Sequence, residues 1–454
     1  MATSERTWPW VQSLRKPEPL AGAFFWLSMF YLVYCARPED WIPGLKFVPL
    51  AKISGIFAFV GLLASVGKSQ RGLRDLPREA GYLFLLVGLL FISAVFSPVW
   101  RGGAFFRTLD FAKVSVAWAL TVMVVTNFTR LRRIIFIQAA SVAVISVVSV
   151  VKGAQAHNRL EGVLGGIYSN PNDLAFAIVL SLPFCLAFLL STRNLGRKAA
   201  WLICMLCMGT ALFLTASRGG FITLVVAGTV SLWHFAIKGR RPHIIVAVFL
   251  IGAILGALAG GKLKDRFMAI SGEGLDTRLS SSAYGSYEER RYVILKSLEG
   301  IVHYPILGIG VRNFTTYSGI WKEVHVSYLQ IAVEGGIPAL ILYLLFFSRG
   351  FSNLRQLKRI RDQDPQTKLL VGALHGSLVG FMVGALFAPE AYQYFPYFAV
   401  SYTAVLLLIA KEQGKIIAPA TGLHRLPRPG GTPDSNLRAD GKGSSREPGR
   451  ELVT

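Results

Sequence analysis

Charged residues are scarce in this chain of 454 residues, at 16% against the roughly 25% of a typical soluble domain. Hydrophobic residues make up 53%, and they gather into runs close to the ~20-residue length that spans a bilayer. The four cysteines lie inside or at the ends of these runs, so they predict no disulfide framework. These shortages exclude an ordinary soluble domain and indicate that lipid is the solvent.

Two kinds of ligand motif are also missing from the sequence. There is no glycine pattern of a Rossmann or P-loop nucleotide site. No group of Asp, Glu, His or Cys residues has the spacing of a metal site. We therefore expect neither a cofactor nor a metal.

The apolar runs predict an all-α polytopic membrane protein with about 12 transmembrane helices. Backbone groups in hydrocarbon must be hydrogen-bonded within the chain, and these runs are too long and too uniformly apolar for barrel strands. The runs lie at about 20–36, 48–67, 81–98, 109–128, 134–151, 173–191, 199–216, 219–237, 243–260, 326–348, 369–388 and 394–410.

The net charge of +23 indicates topology rather than nucleic acid binding. If the first run enters from the cytoplasm, alternate loops are rich in arginine and lysine, and the opposite loops are sparser. This asymmetry follows the positive-inside rule and places both termini in the cytoplasm. The basic residues then contact anionic membrane lipids, and no nucleic acid partner is expected.

The predicted organisation has one unusual part, a polar segment of about 65 residues that is far longer than an ordinary connection. The charge pattern places this segment outside the cytoplasm. The N-terminal segment reads as an uncleaved signal anchor, and the tail, rich in Pro, Gly, Arg and Ser, is predicted to be disordered. The parts are the N-terminal segment 1–19, helices one to nine over 20–260, the loop 261–325, helices ten to twelve over 326–410, and the tail 411–454.

A first polar segment precedes the sixth run and contains Arg159 and Asn170-Pro171-Asn172. Pro171 suits the first turn of a helix, and Asn170 or Asn172 suits its N-cap. Two interpretations stay open here. The segment is a helix cap alone, or it is a capped N-terminus whose free N–H groups bind an anion.

A second polar segment, Ser217-Arg218-Gly219-Gly220, interrupts two apolar runs. A tight Gly-Gly turn explains the glycines but not the arginine. Arg218 either extends to lipid phosphates or binds a ligand inside the protein.

The arginine pair Arg290-Arg291 lies in the long loop and is followed by apolar residues at helical spacing, which predict an amphipathic helix. We place both arginines in its first turn, where the helix dipole disfavours cations. A binding role and a solvated, salt-bridged helix start are both consistent with the spacing.

His325 opens the tenth apolar run. His325, Tyr328 and Leu329 have the spacing of one helical face. Gln330 and Glu334 are polar groups in the same span, and lipid would not tolerate them on its own side. Because imidazole suits general-base work near neutral pH, His325 is a catalytic candidate, the alternative being an ordinary interfacial histidine.

With these motifs, the chain resembles the O-antigen ligase and O-antigen polymerase superfamily of bacterial polytopic membrane glycosyltransferases. Asn170-Pro171-Asn172 is similar to the family's Asn-Pro-Asn element, and Ser217-Arg218-Gly219 to its Ser-Arg-Gly turn. The long loop ending in His325 resembles the family's catalytic loop. The specific likeness covers about 155–348.

The resemblance implies a fold and an activity. The fold would be of the glycosyltransferase C type, in the bacterial inner membrane. The enzyme would be metal-independent and would transfer a glycan from undecaprenyl diphosphate, at the periplasmic face, to lipid A-core or to another repeat unit. Membrane lipids and other polysaccharide assembly proteins are further expected partners.

The resemblance also implies roles for residues. Arg218 and one of Arg290 or Arg291 would bind the diphosphate, with Arg159 as a weaker candidate. His325 would be the general base or would orient the acceptor hydroxyl. The remaining candidates for the substrate site are Asn170, Asn172 and Tyr328.

Two further features of the sequence concern the acceptor. The family often has Asn after the histidine, whereas Val326 stands here, so Ser327 or Tyr328 would have to orient the acceptor. The segment from Tyr34 to Trp41 looks like a feature of exopolysaccharide polymerase-like members.

Two other functions remain as rivals. A transporter of lipid-linked sugars would favour paired repeats and ionisable residues near the middle of the membrane. Here the polar residues gather at one edge, and no repeat is apparent. An inactive scaffold of a polysaccharide export complex is the other possibility.

Overall fold

The computed structural model describes residues 20–65, 71–72, 75–153, 155–156, 159–160, 162, 168, 170–259, 261, 264, 277–360 and 363–414. Within these residues the regular secondary structure is helical apart from two short antiparallel strands, β1 (Gln155–Ala156) and β2 (Arg159–Leu160), with Gln155 opposite Leu160. The predicted all-α class is confirmed. The predicted segment 1–19 and positions 415–454 of the predicted tail lie outside the described residues.

The helices, numbered in chain order, follow the apolar runs. They are α1 (Ala21–Ala36), α2 (Pro38–Trp41), α3 (Leu50–Leu63), α4 (Arg78–Val95), α5 (Arg101–Val124), α6 (Phe128–Lys152), α7 (Pro171–Ser191), α8 (Leu195–Leu214), α9 (Arg218–Leu232), α10 (His243–Ala259), α11 (Thr277–His303), α12 (Phe314–Ser318), α13 (Ser327–Lys358), α14 (Pro365–Gly384) and α15 (Tyr394–Glu412). A π-helical turn, Trp233–Ile237, extends α9.

Each predicted apolar run overlaps one of these helices. Within the described part of the chain, eight helices are long and apolar enough to cross a membrane. The helices α1, α3 and α10 are apolar but shorter, and α5 carries four charged residues. The chain is therefore a multi-pass membrane protein, whereas the number of 12 crossings stays a prediction.

Small residues allow the long helices to pack closely. Gly376 and Gly380 of α14 face Ala227 of α9, and a Cβ added to Gly380 would lie 2.8 Å from the Ala227 side chain. Such contacts matter in a bilayer, where lipid tails give no hydrophobic driving force between helices. Aromatic rings fill the centre of the bundle, where Phe346 of α13 lies 5.3 Å from Tyr397 of α15 between ring centroids.

The helices α11 and α12 contact each other, and α11 packs against α13. We call the end of the bundle that they form the loop end. The segment after α11 joins α13 at a break in that helix, where Gly336 has φ 82° and ψ 173°. Backbone hydrogen bonds connect the two, from Ile309 N to Val333 O at 2.9 Å and from Ile337 N to Pro305 O at 2.7 Å. The described part of the predicted loop 261–325 is therefore largely ordered against a membrane-spanning helix.

Candidate functional site

The first two polar motifs meet at the loop end. Asn170 caps α7, accepting from the backbone N–H of Asn172 at 2.9 Å, as the sequence predicts. The side-chain oxygen of Asn172 accepts from Arg159 Nη2 at 3.1 Å and from Ser217 Oγ at 2.8 Å. Asn172 therefore joins the start of α7 to the residue that precedes Arg218.

Arg218 is the first residue of α9, and Ser217 caps that helix by accepting from Gly220 N at 3.1 Å. The predicted Gly-Gly turn is wrong, because both glycines belong to the first turn of α9. Their role is close packing. A Cβ on Gly219 would lie 2.7 Å from Phe387 Cβ, and one on Gly220 would lie 2.7 Å from Ala175 Cβ.

His325 lies just before α13, which begins at Ser327 with Val326 as its N-cap. The predicted helical face shared with Tyr328 and Leu329 is therefore wrong, because His325 is not on the helix. Its side chain is half-buried. Burial and the nearby charge of Arg290 lower the pKa of His325 below its ordinary value, which favours the neutral imidazole.

Arg290 and Arg291 occupy the middle of α11, since the helix begins at Thr277. Their predicted position in its first turn, and the dipole cost that went with it, are therefore wrong. Arg290 is half-buried, and burial lowers the pKa of its guanidinium. The Arg291 side chain is 62% exposed, and its Nη1 lies 3.8 Å from a carboxylate oxygen of Glu288. Of these two arginines, Arg290 has a charge that acts on His325, whereas Arg291 is directed to Glu288.

Tyr328 holds α13 to α14 through its hydroxyl, which donates to the backbone carbonyl of Met382 at 2.6 Å. Its ring also packs edge-on against Tyr343. Because the hydroxyl is already used in this contact, the geometry gives Tyr328 a packing role.

The residues 385–393 between α14 and α15, which we call the connecting loop, link the two halves of the site. Ser327 N donates to Ala385 O at 2.8 Å, and Ser327 Oγ donates to Ala388 O at 2.7 Å. Glu390 N donates in turn to Ser327 Oγ at 2.9 Å. Since Phe387 of the same loop packs on Gly219, the loop contacts both the residue after Arg218 and Ser327, two residues after His325.

Buried carboxyl groups line this region. Glu390 is only 4% exposed, and burial together with the neighbouring Asp173 raises its pKa well above the ordinary value. Glu334 is 2% exposed and accepts from the Tyr392 hydroxyl at 2.7 Å. Neutral carboxyl groups can donate as well as accept hydrogen bonds, which suits the recognition of sugar hydroxyls.

Sequence reasoning missed several residues at the loop end. Glu390 and Tyr392 carry a signal, because a carboxylate and a phenol stand in the short gap between two apolar runs. Arg312 and Glu323 carry little signal beyond lying in the long loop. Arg312 Nη1 lies 4.0 Å from Glu323 Oε1, and Arg312 has a positive φ of 56°.

The arrangement combines a neutral imidazole, arginines on two different helices, and buried groups that hydrogen-bond. Guanidinium groups bind phosphate through paired N–H donors. An imidazole of lowered pKa can accept a proton. The loop end is therefore equipped to bind an anionic group and to deprotonate a hydroxyl.

Comparisons with known proteins support the predicted superfamily. Residues 203–344 match the sequence model of the family described as O-Antigen ligase. The chain is also 24% identical over 257 residues to the exopolysaccharide production protein ExoQ of Rhizobium meliloti (strain 1021), a match covering 51% of this chain. The chain spans 57% of that relative's length. The predicted resemblance to the O-antigen ligase and polymerase superfamily is thereby confirmed.

One solved structure shares a distant similarity. It is titled "Structural coordination of polymerization and crosslinking by a peptidoglycan synthase complex", and its matching chain is 14% identical with a TM-score of 0.40. The match covers 74% of this chain and 97% of that one.

Proposed function

We propose that the chain, of which residues 203–344 match the O-antigen ligase family, transfers a glycan from undecaprenyl diphosphate to a hydroxyl acceptor, lipid A-core or a related surface glycan. The transfer takes place at the loop end, on the periplasmic side of the bacterial inner membrane. The observation that carries the proposal is that the charge of half-buried Arg290 acts on half-buried His325.

Arg218 and Arg290 bind the diphosphate in this proposal, and Arg159 holds the segment that begins with Ser217-Arg218 in place. As the glycosidic bond breaks, negative charge builds on the diphosphate leaving group. Two guanidinium groups can stabilise this charge bidentately in a partly dehydrated site. They would supply the positive charge that a metal supplies in many transferases.

His325 is the proposed general base. The acceptor oxygen forms a bond to the anomeric carbon, its proton passes to the imidazole, and the bond to the diphosphate breaks. A neutral imidazole is required for this step, and the lowered pKa of His325 favours that form. Glu390 and Asp173, whose side chains are hydrogen-bonded to each other, would bind acceptor hydroxyls near the first turn of α7.

Polymerisation of an exopolysaccharide is the second candidate function. It uses the same site and donor, with another repeat unit as the acceptor. The similarity to an exopolysaccharide production protein favours it, as does the segment from Tyr34 to Trp41. In this segment Arg37 forms ion pairs with Glu39 at 2.6 Å and Asp40 at 3.0 Å.

Glycan analysis of a deletion strain tests the proposal. Accumulation of lipid-linked polymer in that strain would indicate a ligase, and accumulation of single lipid-linked repeat units would indicate a polymerase. Complementation with the intact chain should restore the product, and complementation with His325→Ala or Arg218→Ala should not. Full restoration by both variants would overturn the proposed site. Lipid-linked glycan trapped on the cytoplasmic side would indicate a transporter instead.

A further inference from the structure

An exposed apolar strip runs along α11. Leu295, Leu298 and Val302 follow one another at intervals of three and four residues, which places them on one face of the helix. All three are exposed, Val302 to 77%. Contacts within the described part of the protein therefore leave these side chains uncovered.

The other faces of α11 have different surroundings. On the inner face, Val293 and Ser297 are buried, and a Cβ on Gly300 would lie 2.7 Å from the Val333 side chain of α13. On a third face, Lys296 and Glu299 form an ion pair of 2.7 Å. A helix divided into a protein side, an apolar side and a charged side is typical of one that lies in a membrane interface.

The apolar strip continues into a membrane-spanning surface. Just after α11, Ile306 is 68% exposed. The preceding residue, Pro305, accepts from the backbone N–H of Ile337, which lies about three turns into α13. Ile337 and Ile341 are exposed apolar residues of that span. The exposed face of α11 and the exposed face of α13 thus meet at Ile306.

We propose that Leu295, Leu298, Val302 and Ile306 are seated in the membrane leaflet at the loop end, so that α11 lies along the boundary between lipid and water. The occupant of this surface is phospholipid, because the strip is continuous with an apolar surface that already spans the bilayer. Arg290, on the inner side of α11, is then held at the level of the lipid phosphates. The seating of α11 does not depend on the proposed function. Only the position of Arg290 at the level of the lipid phosphates concerns the binding of the proposed donor.

Fluorescence quenching in nanodiscs tests the seating. The four native cysteines are replaced by alanine, and a bimane label is attached at Val302→Cys or, as its matched control, at the adjacent exposed His303→Cys. Phosphatidylcholine brominated near the start of the acyl chain should quench the Val302 label at least about twofold more than the His303 label. Aqueous iodide should show the opposite order.

A second pair of labels provides the same comparison if a variant of the first pair does not fold. Leu295→Cys and Glu299→Cys lie one turn apart on α11, on the apolar and the charged face respectively, and should show the same contrast. Equal quenching by brominated lipid within both pairs, or stronger iodide quenching of Val302 and Leu295, would overturn the seating. Because quenching requires no glycan transfer, the seating and the proposed enzyme activity can fail separately.

Discussion

Arg290 and Arg291 are adjacent in sequence but lie in different surroundings. The first is half-buried and close enough to lower the pKa of His325, whereas the second extends into solvent towards Glu288. An exposed ion pair contributes little, but a partly dehydrated guanidinium can stabilise a developing negative charge strongly. The two residues should therefore differ in their effect on catalysis.

Replacing Arg290 by alanine should lower kcat/KM for glycan transfer by about 100-fold, since removal of one preorganised donor typically costs this much. Arg291→Ala, the matched control, should change it by no more than a few-fold. Initial rates with purified protein in lipid nanodiscs measure both. Equal losses in the two variants would contradict the assignment.

The rate should depend on the protonation of His325. The lowered pKa means that the imidazole is neutral at pH 7 and becomes charged only below its ordinary pKa of about 6.5. Activity should therefore be constant near neutral pH and fall as the pH drops through the lowered pKa, because imidazolium cannot accept a proton.

Two variants at Arg290 test the cause of this shift. Arg290→Gln removes the positive charge and should move the acidic limb of the pH–rate profile upwards, whereas Arg290→Lys keeps the charge and should leave the limb nearly in place. An acidic limb that is identical in the two variants would show that the charge of Arg290 does not act on the titrating group.

At the scale of elements, the connecting loop 385–393 fixes the start of α13 through hydrogen bonds with Ser327. Ser327→Ala would remove a donor to Ala388 O and an acceptor for Glu390 N, at a cost of about 1–3 kcal/mol. Activity should fall with stability, since His325 is two residues away. The control is Ser348→Ala, whose exposed hydroxyl bonds only within α13. Thermal unfolding in detergent and transfer rates measure both effects.

The break in α13 at Gly336 is a second feature at this scale, and the sequence alone explains it poorly. Its positive φ suits glycine, and an added Cβ would overlap the carbonyl oxygen of Ile306. Gly336→Ala should therefore lower the Tm by several degrees, through about 1–3 kcal/mol of backbone strain. Gly228→Ala, where a Cβ meets nothing within 4 Å, should leave the Tm unchanged or raise it. An equal Tm in both variants would contradict this account.

The sequence predicts the elements better than their ends. Long apolar runs dictate helices because unbonded backbone groups are costly in lipid, so every predicted run overlaps a helix. Helix ends depend on tertiary contacts, which explains why α11 begins before Arg290 and why α13 begins after His325. Gly219 and Gly220 read as a turn, but their packing partners, Phe387 and Ala175, are far away in the sequence.

At the scale of the whole molecule, the sequence identifies candidate motifs but does not predict how they meet. Asn172 and Ser217 are hydrogen-bonded although 45 residues separate them. Glu390 and Ser327 are 63 residues apart. No periodicity within one segment reports such contacts, so the sequence marks Glu390 as a polar residue between two apolar runs but does not identify its contact with Ser327.

The arrangement of the whole chain separates the apolar helix bundle from the polar candidate site. Many helices bury apolar and aromatic residues within the bundle, whereas the polar candidates gather at the loop end. A glycan carried on a lipid diphosphate needs this division, because its lipid stays in the membrane while its sugar reaches a polar site. The proposed transfer therefore depends on both the membrane helices and the loop-end residues.

The most direct test is transfer by the purified protein in nanodiscs, supplied with an undecaprenyl diphosphate-linked glycan and a hydroxyl acceptor glycan. The intact chain should join the glycan to the acceptor and release undecaprenyl diphosphate, and His325→Ala should lower the rate by at least about 100-fold. A folded His325→Ala variant that transfers glycan at the full rate, or an intact chain that releases no undecaprenyl diphosphate, would contradict the account.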